Sequence, residues 1–157
     1  MERELHLFGG SALNAVDAKG RLSVPAFIRQ KIERRSDAKV LVLAPHPDLD
    51  CLIGYDVNWP AKLMERAEKR LGDAPERMAE IGMQAAAFAS IIEVPYDASG
   101  RIILPPKLKR RAGIGDQALF MGTGFEFCIW NPDKALACEV PEVRDAARLE
   151  LEDEEAA

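Results

Sequence analysis

Apolar residues along this chain come in short runs that end at turn residues, a pattern that favours β-strands over long helices. Four of these runs are predicted to form strands: "KVLVLAP", "CLIGY", "QALFMG" and "FEFCIW". Shorter segments flank two reversals, "DAKG" at residues 17–20 and "DASG" at residues 97–100. In each reversal the aspartate can accept hydrogen bonds within its own turn, and the glycine can adopt a positive φ. Each reversal therefore predicts a β-hairpin.

Helical spacing of apolar residues follows each reversal and fills the middle of the chain. Pro25 suits the first turn of a helix over "PAFIRQKIERR", and Pro105 begins a short helix that Gly113 is placed to end. The middle of the chain is predicted to hold a helical pair, residues 58–72 and 75–89, with apolar positions at Leu63, Ala67, Leu71, Met78, Ile81 and Ala85. The C-terminal "PEVRDAARLELEDEEAA" is expected to be either a frayed amphipathic helix or a disordered acidic tail.

The two reversals belong to a longer internal repeat. Residues 16–25, "VDAKGRLSVP", return at residues 96–105 as "YDASGRIILP", with Asp, Ala, Gly, Arg and Pro at the same places. Each unit reads strand, turn, strand, short helix, strand, turn, strand, which predicts an α+β fold of two similar units. The predicted divisions are a first repeat at residues 11–58, a helical connector at 59–90, a second repeat at 91–134 and an acidic tail at 135–157.

The distribution of charge matters more here than its total. The net charge of −5 by itself argues against a polyanionic partner. Residues 1–35, however, hold seven basic against four acidic residues, and residues 91–115 hold five against two, so each segment carries +3. Most of the negative charge lies in residues 116–157, with three basic and eleven acidic residues. Positive charge therefore collects on both repeated segments, where the local field decides what binds.

Few residues are available for metal binding, catalysis or membrane insertion. Three cysteines (Cys51, Cys128 and Cys138) form no CxxC pair, and His6 and His46 lie far apart, so no metal or cofactor is expected. No nucleophile elbow or HExxH motif is present, which makes an enzyme the least favoured class. The longest apolar stretch is far shorter than the roughly 18 residues of a membrane span, and no secretory signal is evident. A reducing cytoplasm is expected, and Cys51 and Cys128, which lie in apolar strand segments, are predicted to be buried, inert thiols.

Arg21 and Arg101, which follow the two reversals, are the main candidates for function. A single Asp-x-x-Gly-Arg segment would be ordinary turn chemistry. Arginine at both places suggests a shared task, either pairing with Asp17 and Asp97 across the turns or presenting a guanidinium fork to phosphate or guanine. Other basic residues surround the two copies: Lys19, Arg29, Lys31, Arg34 and Arg35 the first, and Lys107, Lys109, Arg110 and Arg111 the second.

These segments resemble the MraZ family of bacterial transcriptional regulators. The resemblance covers about residues 7–137 and rests on "DAKGRLSVPAFIR", "YDASGRIILPPKLKRRAGI" and "FEFCIWNP", in the family's order. It implies a pseudo-dimeric swapped-hairpin (double-split) β-barrel of two tandem AbrB-like repeats with flanking helices, assembled into a ring-shaped homo-oligomer. It also implies a cytoplasmic, nucleoid-associated regulator that binds short direct repeats in double-stranded promoter DNA. Such a regulator usually represses its own gene and the division and cell-wall gene cluster.

The family's Asp-x-x-x-Arg signature falls on Asp17 and Arg21, and again on Asp97 and Arg101. The resemblance thus implies two groups of site residues: Lys19, Arg21 and Arg101 for DNA binding, and Asp17, Gly20, Asp97 and Gly100 for the turns.

One departure from the repeat bears on this assignment. Ser99 stands where the first copy has Lys19, so the first hairpin is expected to carry more of the DNA contact. A competing hypothesis is a scaffold ring whose basic clusters meet an acidic partner or the chain's own "LELEDEEAA" tail.

Overall fold

Short strands alternate with short helices along the chain, and the fold is α+β. The computed structural model describes residues 6–61, 64–65 and 77–156. The strands are β1 (Ser11–Ala15), β2 (Arg21–Ser23), β3 (Val40–Pro45), β4 (Leu52–Tyr55), β5 (Ile92–Pro95), β6 (Arg101–Ile103), β7 (Gln117–Gly122) and β8 (Phe127–Trp130). The helices are α1 (Ala26–Arg35), α2 (Arg77–Phe88), α3 (Pro106–Ala112), α4 (Pro132–Leu136) and α5 (Pro141–Ala156).

Part of the connector between the repeats lies outside the described residues. Helix α2 confirms the second helix of the predicted pair. Residues 59–61, 64 and 65 are helical, whereas Leu63, Ala67 and Leu71 of the first predicted helix are outside the described ranges. Within those ranges, no helix is long and apolar enough to cross a membrane.

Strands from the two repeats pair with each other in a six-stranded antiparallel sheet of order β1-β7-β8-β4-β3-β5. β1 of the first repeat pairs with β7 of the second, and β5 of the second pairs with β3 of the first. β4 and β8, which are equivalent strands, pair at the centre. The strand order is therefore symmetric with respect to the sequence repeat.

The first predicted hairpin is correct in its turn and wrong in its pairing. The Gly20 N–H donates to the Asp17 carbonyl at 2.9 Å, which closes the turn. Beyond it, the two arms share one isolated bridge, between Val16, which follows β1, and Leu22 of β2. β2 instead pairs with β6 of the other repeat as a separate two-stranded ribbon, so the second predicted hairpin, of β5 with β6, is wrong in its pairing as well. That pairing sets Leu22 opposite Ile102, and burial of both side chains favours it over a local hairpin.

Apolar side chains cover both faces of the six-stranded sheet, which explains why its strands read as continuous apolar runs. In β7, Ala118 and Phe120 belong to one buried cluster, and Leu119 and Met121 belong to another. The first cluster is the main core, in which the ribbon packs with α1 and α3 through Leu22, Ile102, Ile28, Ile32 and Leu108. The ribbon thus rests on buried side chains, each worth about 2–5 kcal/mol if truncated to alanine.

The acidic C-terminal segment forms helix α5, which docks on the sheet. Ala147 is fully buried in the same cluster as Leu119 and Trp130. Ser11 Oγ, on the edge strand β1, donates to Glu150 Oε1 at 2.6 Å. Of the two expectations for this segment, the helix is confirmed over residues 141–156.

The three cysteines lie together beneath α5 as buried free thiols, which confirms the burial predicted for Cys51 and Cys128. A hydrogen bond with Cys128 and burial both raise the pKa of Cys51. A thiol with a raised pKa is a poor nucleophile at neutral pH. Among the described residues, no group of His, Cys, Asp and Glu side chains is arranged to hold a metal.

Candidate nucleic-acid interface

The β2–β6 ribbon carries two arginines on one outward face. Successive side chains of a strand alternate between faces. Leu22 therefore points into the core, whereas Arg21 and its strand neighbour Ser23 are exposed. In the antiparallel register Arg21 lies opposite Ile103, and Ser23 lies opposite Arg101. The two arginines thus occupy diagonal corners of a small exposed surface, which we call the ribbon face: Arg21, Ser23, Arg101 and Ile103.

The first reversal is closed by Asp17. Its Oδ1 accepts the N–H of Lys19 at 2.9 Å and the N–H of Arg21 at 2.8 Å. Its Oδ2 accepts Nε–H of Arg21 at 2.6 Å. The backbone hydrogen bond from Arg21, followed by the bond from its side chain, lowers the pKa of Asp17, so the carboxylate is charged at neutral pH. Gly20 has φ 81°, the left-handed conformation that glycine adopts without strain.

The second reversal has the same backbone and a looser ion pair. Oδ1 of Asp97 accepts the N–H groups of Ser99 at 2.9 Å and Arg101 at 3.0 Å. Nε of Arg101 lies 3.6 Å from Asp97 Oδ2, against 2.6 Å for the matching atoms in the first reversal. The backbone hydrogen bond from Arg101 is again the main reason that the pKa of Asp97 is lowered. Gly100 has φ 80°.

The sequence suggests two tasks for Arg21 and Arg101: pairing with aspartate across the turn, and presenting a guanidinium to phosphate or guanine. The two are compatible in this geometry. Each aspartate engages its arginine through Nε, which restrains the side chain. Within the described part of the chain, the terminal amino groups of Arg21 and Arg101 make no hydrogen bond. Both arginine side chains remain nearly half exposed, at 45% for Arg21 and 44% for Arg101. An oriented, exposed guanidinium can donate two parallel hydrogen bonds to a phosphate or a guanine edge.

Arg29 of helix α1 covers the second reversal, a contact between repeats that the sequence did not predict. Its Nε–H donates to the Val24 carbonyl at 3.0 Å. A Cβ added to Gly100 would lie 2.7 Å from that Nε, whereas the nearest atom to a Cβ on Gly20 is the Leu104 carbonyl oxygen at 3.4 Å. Gly100 is consequently buried, whereas Gly20 is partly exposed.

A second contact from α1 also reaches the second reversal. The hydroxyl of Tyr96, the residue before Asp97, donates to Glu33 Oε2 at 2.6 Å. Burial and this hydrogen bond raise the pKa of Tyr96. At the equivalent place in the first repeat stands Val16, which has no hydroxyl. Helix α1 therefore holds the second reversal by two side chains that have no counterparts at the first.

Arg35, grouped by sequence with the basic residues of the first copy, serves the core instead. Its Nη1 donates to the Phe125 carbonyl at 2.8 Å and lies 3.2 Å from Oδ1 of the buried Asp56. Its guanidinium carbon lies 4.3 Å from the centroid of the Phe8 ring. Only 12% of the side chain is exposed, so Arg35 joins segments of the fold and is not part of the interface.

The remaining basic residues line helices α1 and α3 and the tip of the first reversal. Lys19 is exposed at that tip, while Ser99 is exposed at the tip of the second. Arg34, Lys107, Arg110 and Arg111 are exposed, and Lys31 and Lys109 are half-exposed. Lys19 and Arg21 therefore lie together at one end of the ribbon face, with Arg101 at the other.

The fold and the site define an α+β protein of two repeated units that share one basic β-ribbon. No protein-family model matches the chain. It is 36% identical over 132 residues to a transcriptional regulator MraZ of Rhodospirillum rubrum, a match that covers 80% of this chain and 79% of that protein. A second, of Coxiella burnetii, is 35% identical over 127 residues, 80% of each chain. A third, of Gluconobacter oxydans, is 32% identical over 146 residues, 92% of this chain and 84% of the relative.

At this identity and coverage, the chain belongs to the MraZ family of transcriptional regulators.

Proposed function

We propose that this protein is a sequence-specific, DNA-binding transcriptional regulator and that its ribbon face enters the major groove. The observation that carries the proposal is the pair of oriented arginines, Arg21 and Arg101, on one exposed face of the ribbon. The major groove is wide enough to admit a two-stranded β-ribbon. The relatives' name, transcriptional regulator, supports the same role.

Each residue has a distinct part in the proposed complex. Arg21 and Arg101 donate to guanine edges or to flanking phosphates, and Lys19 contributes a phosphate contact beside Arg21. Asp17 and Asp97 orient the arginines, and Gly20 and Gly100 allow the tight reversals. No step of this role requires a cofactor, a metal or a catalytic group.

The proposed architecture is a pseudo-dimeric swapped-hairpin (double-split) β-barrel. It is supported by the inter-repeat pairing of β1 with β7, β5 with β3 and β2 with β6. Its divisions are two AbrB-like repeats at residues 11–58 and 91–134, a connector at 59–90 and a tail at 135–157.

We further propose that a ring-shaped homo-oligomer is the binding form. One chain carries −5 overall, so a single ribbon face binds a polyanion weakly. Several such faces on one assembly, each meeting one of a series of short direct repeats, raise the effective affinity through multivalency. The proposed targets are its own promoter and the division and cell-wall gene cluster, which it represses from the cytoplasm as a nucleoid-associated protein.

A gel shift on the DNA duplex upstream of the chain's own gene tests the proposal. Arg21→Ala is expected to weaken binding by about tenfold or more, the value of one bidentate hydrogen-bonded pair with a base, and to lower the salt dependence. Arg148→Ala is the matched control, because Arg148 is an exposed arginine paired with Asp145 on α5, which packs in a different buried cluster from the ribbon. Unchanged affinity and salt slope for Arg21→Ala, alongside intact wild-type binding, would remove Arg21 from the interface.

A further inference from the structure

Ile103 is an exposed apolar residue on the basic ribbon face. It has 62% of its surface exposed, although it is a large β-branched side chain at the end of a strand whose other apolar residue, Ile102, is buried. It lies directly opposite Arg21. Its Cγ2 is 3.8 Å from the position that a Cβ would occupy if one were added to Gly20. The side chain therefore lies against the first reversal.

The fold does not require an apolar residue at this position. Ser23 occupies the equivalent place in the first repeat, on the same face of the same ribbon, opposite Arg101. A serine is therefore compatible with the same strand pairing at an exposed position. An isoleucine left in water forgoes the burial free energy that its large aliphatic side chain would gain inside the protein. The apolar side chain at this position is therefore a difference between the two ends of the ribbon face and not a requirement of the strand pairing.

We propose that Ile103 is a specificity-determining residue that packs against the 5-methyl group of a thymine, next to the base or phosphate bound by Arg21. This inference rests on the proposed function. The thymine methyl is the apolar group that a major-groove surface presents, and apolar side chains are the groups that recognise it. Charge favours DNA as the occupant, since Lys19 and Arg21 lie beside the isoleucine on the first reversal.

The same residue gives the ribbon face a direction. One end carries Lys19, Arg21 and Ile103, and the other carries Arg101 and Ser23. A strictly twofold face would read a palindrome equally well in both orientations. A face that is apolar at one end contacts a thymine on one side of the short DNA repeat that it binds. This contact fixes the orientation of the protein on each repeat, as direct repeats require.

The test compares two versions of one duplex, the DNA upstream of the chain's own gene, amplified with either dTTP or dUTP. Uracil lacks only the 5-methyl group. Wild type is expected to bind the dU duplex more weakly, by roughly fourfold for each thymine methyl that Ile103 covers. Ile103→Ser, which copies the first repeat, is expected to bind the dT duplex more weakly than wild type and to show no difference between the duplexes. Ile103→Val keeps a branched apolar side chain and retains part of the difference.

Leu149→Ser is the matched control, because Leu149 is 64% exposed on α5, far in sequence from the ribbon. It is expected to discriminate dT from dU as wild type does. Retention of full discrimination by Ile103→Ser, or wild-type binding that ignores the dU substitution, would overturn the inference and leave the proposed function standing. A changed sedimentation coefficient of Ile103→Ser with unchanged discrimination would assign Ile103 to self-association and overturn it too. Wild type that binds neither duplex better than a scrambled one would overturn the proposed function itself.

Discussion

The two reversals, residues 17–21 and 97–101, have the same backbone and different surroundings. In both, an aspartate accepts two backbone N–H groups and a glycine adopts a positive φ. The first is partly exposed at its glycine, whereas the second is covered by Arg29 of α1. A sequence repeat therefore determines turn geometry locally, while neighbouring elements determine how accessible each turn is.

Replacement of the two glycines should show the largest difference between the reversals. Gly20→Ala places a Cβ at positive φ, which costs about 1–2 kcal/mol of unfolding free energy. Gly100→Ala costs about 1 kcal/mol more, because the new Cβ displaces Arg29 from its hydrogen bond with the Val24 carbonyl. Urea unfolding of both variants measures the difference. Gly82→Ala, in helix α2 with open space around it, is the control and is expected to be neutral or stabilising. Equal losses of unfolding free energy for Gly20→Ala and Gly100→Ala would contradict the contact between Arg29 and the second reversal.

Replacement of Arg29, which covers the second reversal, should have a smaller effect on the unfolding free energy. Arg29→Met keeps an apolar stem and loses the hydrogen bond, so we expect a loss of about 1 kcal/mol in unfolding free energy. Lys109→Met, at the equivalent position of α3, is expected to stay within about 0.5 kcal/mol of wild type. The double variant Arg29→Met with Gly100→Ala should lose less than the sum of its parts, because the clash is relieved. Strict additivity would show that the two residues do not interact.

Exchange of the tip residues should alter electrostatics without altering stability. Lys19→Ser is expected to lower the salt dependence of DNA binding by about one phosphate contact per engaged ribbon, and Ser99→Lys to raise it by the same amount. The double exchange moves the lysine to the other end of the ribbon face. If Lys19→Ser leaves the slope of affinity against salt unchanged, the first tip is not near phosphate.

Titration of Asp17 and Asp97 should show the smallest difference. Both carboxylates have a pKa below the ordinary value of 3.8, chiefly because of backbone hydrogen bonds from Arg21 and Arg101. Their stabilising effect is therefore present above that pH and is lost as the pH falls through the lowered pKa. Arg21→Ala should raise the pKa of Asp17 more than Arg101→Ala raises that of Asp97, since the ion pairs measure 2.6 and 3.6 Å. Carboxyl carbon chemical shifts followed by NMR measure both values, and the opposite order would contradict this geometry.

Features decided by near neighbours could be predicted from the sequence. The turns at Gly20 and Gly100, the helix that begins after Pro25 and the buried runs in β3 and β7 depend on residues a few positions apart. The α+β class and the family follow from these segments and their order.

Features that depend on contacts between the repeats could not be predicted from the sequence. The hydrophobic pattern of "RLSV" does not state whether Leu22 is buried by its own hairpin or by Ile102, about eighty positions away. The contact of Arg29 with Gly100 and that of Arg35 with Asp56 both join distant segments. Basic residues that look alike in sequence therefore differ in the structure: Arg29 covers the second reversal, Arg35 contacts the core, and others are exposed. The docking of α5 likewise depends on distant segments, because Ala147 is buried against the sheet and Glu150 accepts a hydrogen bond from Ser11 of β1.

DNA recognition by the ribbon face is tested most directly by fluorescence anisotropy with the double variant Arg21→Ala and Arg101→Ala. Its affinity is measured for the duplex upstream of the chain's own gene and for a scrambled duplex of the same composition. If the ribbon face reads DNA, the double variant binds both duplexes equally weakly, whereas wild type and Arg148→Ala prefer the upstream duplex. A double variant that is folded and keeps the wild-type preference would show that the ribbon face does not read DNA.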